Sequence, residues 1–503
     1  MFLKKNNTIV RGPTSDNCEG WLYFDFYGVS WYSKRDMERT LIKDVGAHVG
    51  EEITIKGWVD VRRDHGKLIF IDVRDWTGPA QVVFLPNNKE LHEKASALRS
   101  EWVIELTGTV QKRPEGLINS KIASGAYEML ATGLVILNEA KTPPFEVGAD
   151  GRDVSEEVRM KYRYIDVRRP RLQKNLRNRT KVFQLIRNYL IGENFVEVET
   201  PILTKSTPEG ARDYLVPSRI HEGTFYALPQ SPQQYKQLCM VAGFDRYFQL
   251  ARCFRDEDTR GDRQPEFTQL DIEMSFVDRE DVMVVNEALL IKLVTELYPE
   301  KKIQQIPFPR ISYKEAQEKY GTDRPDMRED KNDPNLLAFC WVIDFPFFEK
   351  TDNGGWTFTH NPFSAPKPEY MSDLLEGKNI GDILTTQYDI VLNGWEIGGG
   401  SVRNHRAEAL KSVFRIMGFE EERILKNFGH MLEAFEFGAP PHGGIAWGMD
   451  RVMMILENEP NIREVIAFPK TGDGSDLMMN APSEVSPEQL RELRLEIKKK
   501  PQK

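Results

Sequence analysis

Two strand-like runs, Tyr247-Phe248-Gln249-Leu250 and Phe267 to Phe276, enclose a densely charged stretch: Cys253-Phe254-Arg255-Asp256-Glu257-Asp258-Thr259-Arg260-Gly261-Asp262-Arg263-Gln264-Pro265-Glu266. Strand, charged connection and strand restrict this region to a hairpin-like unit. Two readings of the connection stay open, a solvated turn and a nucleotide site. An arginine in strand position ahead of a mixed-charge turn suits the second, because guanidinium is a permanent cation whose planar donor fork fits phosphate oxygens.

A chain of 503 residues accommodates two or three domains with a large core. The net charge of −9 means that any nucleic-acid contact must come from a local patch. Cys18, Cys239, Cys253 and Cys340 lie far apart, with no zinc-ligand spacing, which predicts reduced thiols in a cytoplasmic protein. No apolar run approaches membrane-spanning length. The aromatic run Trp21 to Tyr27 lacks the layout of a signal peptide. Residues 1–36 are expected to be an extension, or an over-long start, that is poorly ordered and adds nothing to the fold.

Roughly five β-rich runs between 52 and 136 predict a small oligonucleotide-binding (OB) barrel over residues 37–141. Thr142-Pro143-Pro144-Phe145 opens a hinge over 142–178. The basic stretch containing Arg168, Arg169, Arg171, Lys174, Arg177 and Arg179 reads either as a solvated helix face or as a contact to a phosphate backbone. Helices over Val182 to Glu193, Asp281 to Leu297 and Ala407 to Met417 mix with long strands such as Asp389 to Val402. Without strict βα alternation this predicts an α+β domain on an antiparallel sheet over 179–503.

Four further segments complement the charged stretch: Phe195 to Pro201, Thr207 to Tyr214, Asn393 to Ser401 with three glycines in a β-pattern, and Gly443 to Arg451 running from glycine-rich strand into helix. In this order they resemble motifs 1, 2 and 3 of the class II aminoacyl-tRNA synthetases, and specifically the bacterial aspartyl branch. The resemblance covers about residues 37–490 and includes Thr207 to Arg219, Gln230-Ser231-Pro232-Gln233 and Ile466-Ala467-Phe468-Pro469-Lys470. It implies an anticodon-binding OB barrel, a hinge, a class II catalytic domain, and a homodimer with the first motif in its interface. It also implies ATP-dependent attachment of L-aspartate to tRNA through an aspartyl-adenylate, which needs positioning and charge stabilisation but no protein nucleophile.

By the same resemblance Arg255 holds the α-phosphate and the substrate carboxylate, Glu257 lies near adenine, Gln264 lines the ATP site and Arg451 clamps the γ-phosphate. Asp256, Glu396, Gly448, Met449 and Asp450 complete the ATP set. Asp389 and Glu396 are the implied Mg2+ ligands, since magnesium takes oxygen ligands and keeps several waters; ordinary strand-end acids are the alternative. Lys236 and Arg403 match the cations that receive the substrate side chain. Glu209, Gln233 and Asp271 match the α-amino site, with His360 in the same pocket. Aspartate and asparagine are nearly isosteric, so charge must separate them.

In the barrel, Arg62, Arg63, Phe70 and Gln81 are candidates for anticodon reading, through stacking and base-edge hydrogen bonds; Phe70 reads equally as a core aromatic. Three departures from the family pattern stand out. Asn361 follows His360 where a second histidine is frequent. The domain usually inserted between the second and third motifs is essentially absent, because Gly321 to Arg328 runs within a short stretch into Trp341. His65 and Gly116 occupy the barrel positions near the third anticodon base, a pair that accompanies charging of both tRNA-Asp and tRNA-Asn. The expectation is a ligase acting on both tRNAs; a strict aspartyl enzyme, an asparaginyl enzyme and a non-catalytic OB-fold paralogue are the alternatives.

Overall fold

The computed structural model describes residues 39–207 and 210–498, with the backbone of Phe24–Asp25 and Gly28–Val29, which pair as short antiparallel strands. The rest of the expected 1–36 extension lies outside the described residues. The chain divides into two compact units, residues 1–148 and 149–503.

Strict alternation builds the first unit. In β2 (Leu68–Asp75), Ile69, Ile71 and Val73 point inward and are buried, while Phe70 and Asp72 face outward. With β1 (Glu52–His65), β3 (Gly78–Phe84), β4 (Val103–Lys112) and β5 (Tyr127–Asn138), this strand closes a barrel in the order β1-β2-β3-β5-β4. Helix α1 (Lys89–Ala97) starts where the Asn88 side chain accepts from the Leu91 N–H at 3.1 Å. Its Leu91 and Ala95 pack into the barrel core. Phe70 is therefore on the outer wall, not in the core.

The second unit is an eight-stranded sheet. Its strands are β6 (Val196–Glu197), β7 (Arg246–Phe254), β8 (Glu266–Ser275), β9 (Arg310–Ser312), β10 (Phe339–Ile343), β11 (Gln387–Leu392), β12 (Trp395–Val402) and β13 (His442–Gly448), in the order β9-β10-β11-β12-β13-β8-β7-β6. Only the two edge pairings are parallel, so the expected antiparallel platform is present. β7 and β8 pair from Arg246↔Met274 to Phe254↔Glu266, which makes the charged stretch the connection of a long hairpin. Helices α2 (Pro170–Gly192) and α4 (Arg279–Leu297) bury Val182, Ile186, Leu290 and Leu293 against Leu270, Ile272 and Trp447. This places the main core on one sheet face. Between them in the chain, α3 (Gln233–Val241) follows the Gln230-Ser231-Pro232 segment.

Two expectations change. The expected single strand from Asp389 to Val402 is two strands, joined at Asn393-Gly394, both at positive φ (51° and 84°). That dipeptide is a strong turn signal for a tight hairpin. The basic stretch is only partly a solvated face: Lys174 and Arg177 are exposed, whereas Arg169 and Arg171 are engaged by buried acids. Asp166, fully buried, accepts from Arg163 at 2.6 Å, Arg169 at 2.7 Å and Arg159 at 3.1 Å. Glu464 accepts from Arg159 at 2.7 Å and Arg171 at 2.8 Å. The segment expected to be a hinge is thus bolted, from residue 149 onward, into the second unit.

Burial opposes ionisation of Glu464, but hydrogen bonds from Arg159 and then Arg171 hold its pKa at about 2. A depressed carboxylate contributes stability that is complete above its unfolded pKa and lost as pH falls through the folded value. For Glu464 that window runs from 4.5 down to about 2, a contribution on the order of 3 kcal/mol. Glu464→Gln should lower the thermal midpoint at pH 7, and the gap to the parent should shrink as pH falls through this window, read by circular dichroism melts.

Candidate active site

A cavity of about 460 Å³ opens on the sheet face opposite the main core, a volume suited to a small-molecule site. Gly398, Gly399, Gly400 and Gly448 contribute to its lining, and glycines also clear space for the charged side chains beside it. On β13, a β-carbon at Gly444 would lie 2.1 Å from Glu273 Oε2, so the glycine leaves the space that this carboxylate fills. On β12, a β-carbon at Gly399 would lie 2.8 Å from Asp389 Oδ1 and 3.7 Å from Glu396 Oε1. Both strands also need glycine for close backbone approach: a β-carbon at Gly400 would meet the Gly444 carbonyl oxygen at 2.1 Å, and one at Gly444 the Ile272 carbonyl oxygen at 2.1 Å.

The alternation of β8 sends Gln269, Asp271 and Glu273 to the cavity face and Leu270, Ile272 and Met274 to the core. Lys236 from α3 lies between the two acids, in a short contact with Asp271 Oδ1 and 3.2 Å from Glu273 Oε2. Arg403, just past β12, holds Glu273 with two hydrogen bonds of 2.9 and 3.1 Å and Ser401 Oγ with a third of 2.8 Å. All four charged side chains are buried. Burial pushes the Asp271 carboxyl up despite Lys236, whereas Arg403 and Lys236 outweigh burial at Glu273 and hold it down. Asp271 Oδ2 is buried without a hydrogen-bond partner, an acceptor left open at the cavity wall. The expected bare pair of cations is thus a quartet with two acids.

At the other end Arg255 lies 5.1 Å over the Phe267 ring and donates to the Gln230 carbonyl at 3.3 Å. Arg451 donates to the Glu396 carbonyl oxygen and, at 3.1 Å, to Asp262. Glu257 and Gly448 line the same cavity. Gln264 lines it too, but its amide is committed to the Lys470 backbone, accepting at 2.6 Å and donating at 3.1 Å. Asp450 accepts from Arg179 at 2.6 Å and from the Thr268 N–H at 3.1 Å, so it braces the site. Met449 is turned into the core and Asp256 pairs with Arg212; neither lines the cavity. Glu209 lies outside the described residues.

Burial, then the neighbouring Glu396, pushes the Asp389 carboxyl well up. Two acids converging on the space above a glycine fit a hard divalent cation that brings most of its own oxygen ligands. Among the described residues no group of three or more metal-type side chains occurs. His360 stands with Nδ1 4.0 Å from Asp389 Oδ2 and its ring against Phe345, and burial lowers its pKa. Asn361 accepts from the Phe363 N–H at 2.9 Å, a local turn bond.

On the barrel wall Arg63 and Phe70 are cross-strand partners, as are Asp72 and Gln81. Arg63 donates to Asp72 at 2.7 Å and Gln81 at 3.3 Å, and Gln81 donates to Glu128 at 2.8 Å. His65 meets Phe70 edge-on at 5.8 Å. Arg62 is instead committed to the carbonyls of Ser96 and Leu98 at the end of α1. Gly116 is exposed, and a β-carbon there would meet nothing within 4 Å. The sequence reading missed Glu273, although its place two residues beyond Asp271 in a strand puts both on one face.

Residues 155–472 match the family described as tRNA synthetases class II (D, K and N), and residues 53–137 match the OB-fold nucleic acid binding domain. The chain is 42% identical to the aspartate–tRNA ligase of Lysinibacillus sphaericus, over 89% of this chain and 97% of that protein. It is also 42% identical to the aspartate–tRNA(Asp/Asn) ligase of Caldanaerobacter subterraneus, over 89% and 96%. The first alignment spans 575 positions, more than this chain possesses, so the relative carries a stretch with no counterpart here. Among solved structures, asparaginyl-tRNA synthetase from Pyrococcus horikoshii superposes with a TM-score of 0.70 at 22% identity, over 86% of this chain and 98% of that one. A putative aspartyl-tRNA synthetase from Leishmania major gives 0.68 at 20%, over 86% and 93%. At such identities the structures establish a shared fold.

Removing one partner from a buried ionic cluster strands the others, at about 3–5 kcal/mol. Lys236→Met should therefore lower the thermal midpoint as well as weaken ligand binding, by calorimetry of the purified variant. Unchanged melting would contradict the quartet.

Proposed function

The chain belongs to the class II tRNA synthetases, in the aspartate–tRNA ligase family, and from that premise we propose that its cavity joins L-aspartate to ATP and that the aspartyl group then passes to tRNA. The buried quartet carries this reading. A substrate side-chain carboxylate accepts from Lys236 and Arg403, which are held in place by Glu273. Asparagine would turn an amide N–H toward the same donors, leaving buried groups unpaired at about 1–3 kcal/mol each. The open Asp271 Oδ2 and Gln233 suit the α-ammonium group.

Arg255 lies where it can hold both the α-carboxylate and the α-phosphate. A carboxylate oxygen then attacks the α-phosphorus, the new C–O–P linkage forms as the bond to the bridging oxygen breaks, and pyrophosphate leaves. Arg255 and Arg451 offset the charge that develops, at opposite ends of the phosphate chain. Asp389 and Glu396 are the residues that would hold Mg2+, which would offset the negative charge of the phosphates. Exposed Ile191, Val196, Ile202 and Leu203, in and around the first motif, support a homodimer.

The outer barrel wall, with Phe70, Arg63 and Gln81, supports anticodon reading by stacking and edge contacts. We extend the reading to tRNA-Asn. Gly116 offers no side chain to reject a base, and His65 can pair with more than one. No helix among the described residues is long and apolar enough to cross a membrane.

Pyrophosphate exchange should require magnesium and proceed with L-aspartate but negligibly with L-asparagine. Equal exchange with both amino acids would sink the assignment. Purified tRNA-Asp and tRNA-Asn should be charged within roughly one to two orders of magnitude of each other, and His65→Leu with Gly116→Lys should widen the gap. Charging of tRNA-Asn slower by about a thousandfold, on the order of 4 kcal/mol, would make the enzyme a strict aspartyl one.

A further inference from the structure

Behind the amino-acid end of the cavity runs a chain of hydrogen bonds to which the reaction assigns no role. His442 is fully buried at the start of β13. Its Nδ1 lies 2.7 Å from the Pro440 carbonyl oxygen. A carbonyl can only accept, so Nδ1 carries a proton. The other ring nitrogen, Nε2, lies 3.1 Å from the amide nitrogen of Gln237, also fully buried. In the neutral ring Nε2 accepts, so Gln237 must donate. The Gln237 carbonyl oxygen then faces Gln233 and takes its amide nitrogen at 3.2 Å. Gln233 lines the cavity. That bond uses one N–H of the Gln233 amide, fixes which way the group faces, and leaves its carbonyl oxygen as the acceptor for a ligand.

We propose that His442 is a positioning residue for amino-acid binding: its Nδ1–H tautomer, relayed through Gln237, fixes the Gln233 amide with its acceptor toward the substrate α-ammonium. This rests on the reading above in which Gln233 and Asp271 hold that group. Each link of the relay has one polarity. The opposite tautomer would require Gln237 to accept, which reverses its amide, then that of Gln233, and aims an NH2 at an ammonium group. Two acceptors, Asp271 Oδ2 and Gln233 Oε1, would fall to one.

The groups facing the ring keep it neutral. Burial lowers the pKa of His442, and Arg403 and His405 act in the same direction. Glu273 and the bond to Pro440 oppose them without prevailing. The apolar Phe435 ring also lies beside it, with centroids 6.3 Å apart. The relay also ties together the two elements that carry the pocket cations. Gln237 follows Lys236 on α3, and the His442 carbonyl oxygen accepts from the Arg403 N–H at 2.8 Å.

Two measurements test the proposal separately. In the intact protein, nitrogen-15 and carbon-13 NMR of labelled histidine should show His442 as the neutral Nδ1–H tautomer at pH 7, with the signal identified by its loss in His442→Gln. Finding the Nε2–H tautomer or the imidazolium would overturn the relay, whether or not the protein is active. In aspartate-dependent pyrophosphate exchange, His442→Phe should raise KM for aspartate roughly tenfold, the effect of one lost hydrogen bond, while KM for ATP stays put. His442→Gln, which can again accept from Gln237, should recover most of the loss. Gln237→Met should repeat the defect, and stands in for His442→Phe if that variant does not fold. An unchanged KM for aspartate in folded variants, or an equal rise for both substrates, would refute a positioning role. Failure of the parent protein to exchange pyrophosphate with aspartate would instead sink the functional reading, and the tautomer measurement would still judge the relay.

Discussion

Glu273 lies in the gap that Gly444 leaves in the neighbouring strand, and the end of the cavity that holds Lys236 and Arg403 is organised around that insertion. With a β-carbon at 444, which would fall 2.1 Å from Oε2, the carboxylate could not lie flat against the sheet. Arg403 would then lose its two-pronged anchor and Lys236 one of its two anions. Burying four charges is costly, and replacing such clusters with apolar residues is often stabilising. The arrangement makes sense as geometry bought with stability. Two donors are held immobile at one spot, with one acceptor turned outward.

The two halves of the chain were legible in sequence to different depths. The barrel announces itself through strict alternation, as in Ile69, Ile71 and Val73, because a five-stranded barrel has one buried face per strand. The β7–β8 hairpin could be read from its two β-rich runs and the charged connection between them. The basic stretch could not be read in this way. The anions of Arg159 and Arg171 include Glu464, some 300 positions later, and composition near the arginines carries no trace of it. The Asn393-Gly394 turn was legible and overlooked, hidden by the β-propensity on both sides. Glu273 was overlooked for a different reason. An acid in a central strand looks like an exception to burial until the glycine opposite it is known.

The shared fold leaves much of specificity undecided. Solved structures named for asparagine and for aspartate superpose on this chain almost equally well, as expected when function resides in sites carried by a common scaffold. The difference that matters here involves few atoms. It lies in which donors and acceptors point inward, and those are set by side chains such as Gln237 and His442 that never meet a ligand in the proposed reaction. Sequence comparison weighted toward cavity-lining residues would pass over both.

Gly116 differs from the glycines of the active-site floor in one respect. Gly444 and Gly399 are held in place by atoms that a side chain would strike, whereas the space around residue 116 is open and its backbone lies outside the left-handed region. Substitution there draws on none of the fold's narrow stability margin. A lineage can therefore drift through many side chains at this position without losing folded protein along the way. The catalytic floor admits no comparable freedom. Position 116 is thus free to vary while the glycines of the second unit stay fixed.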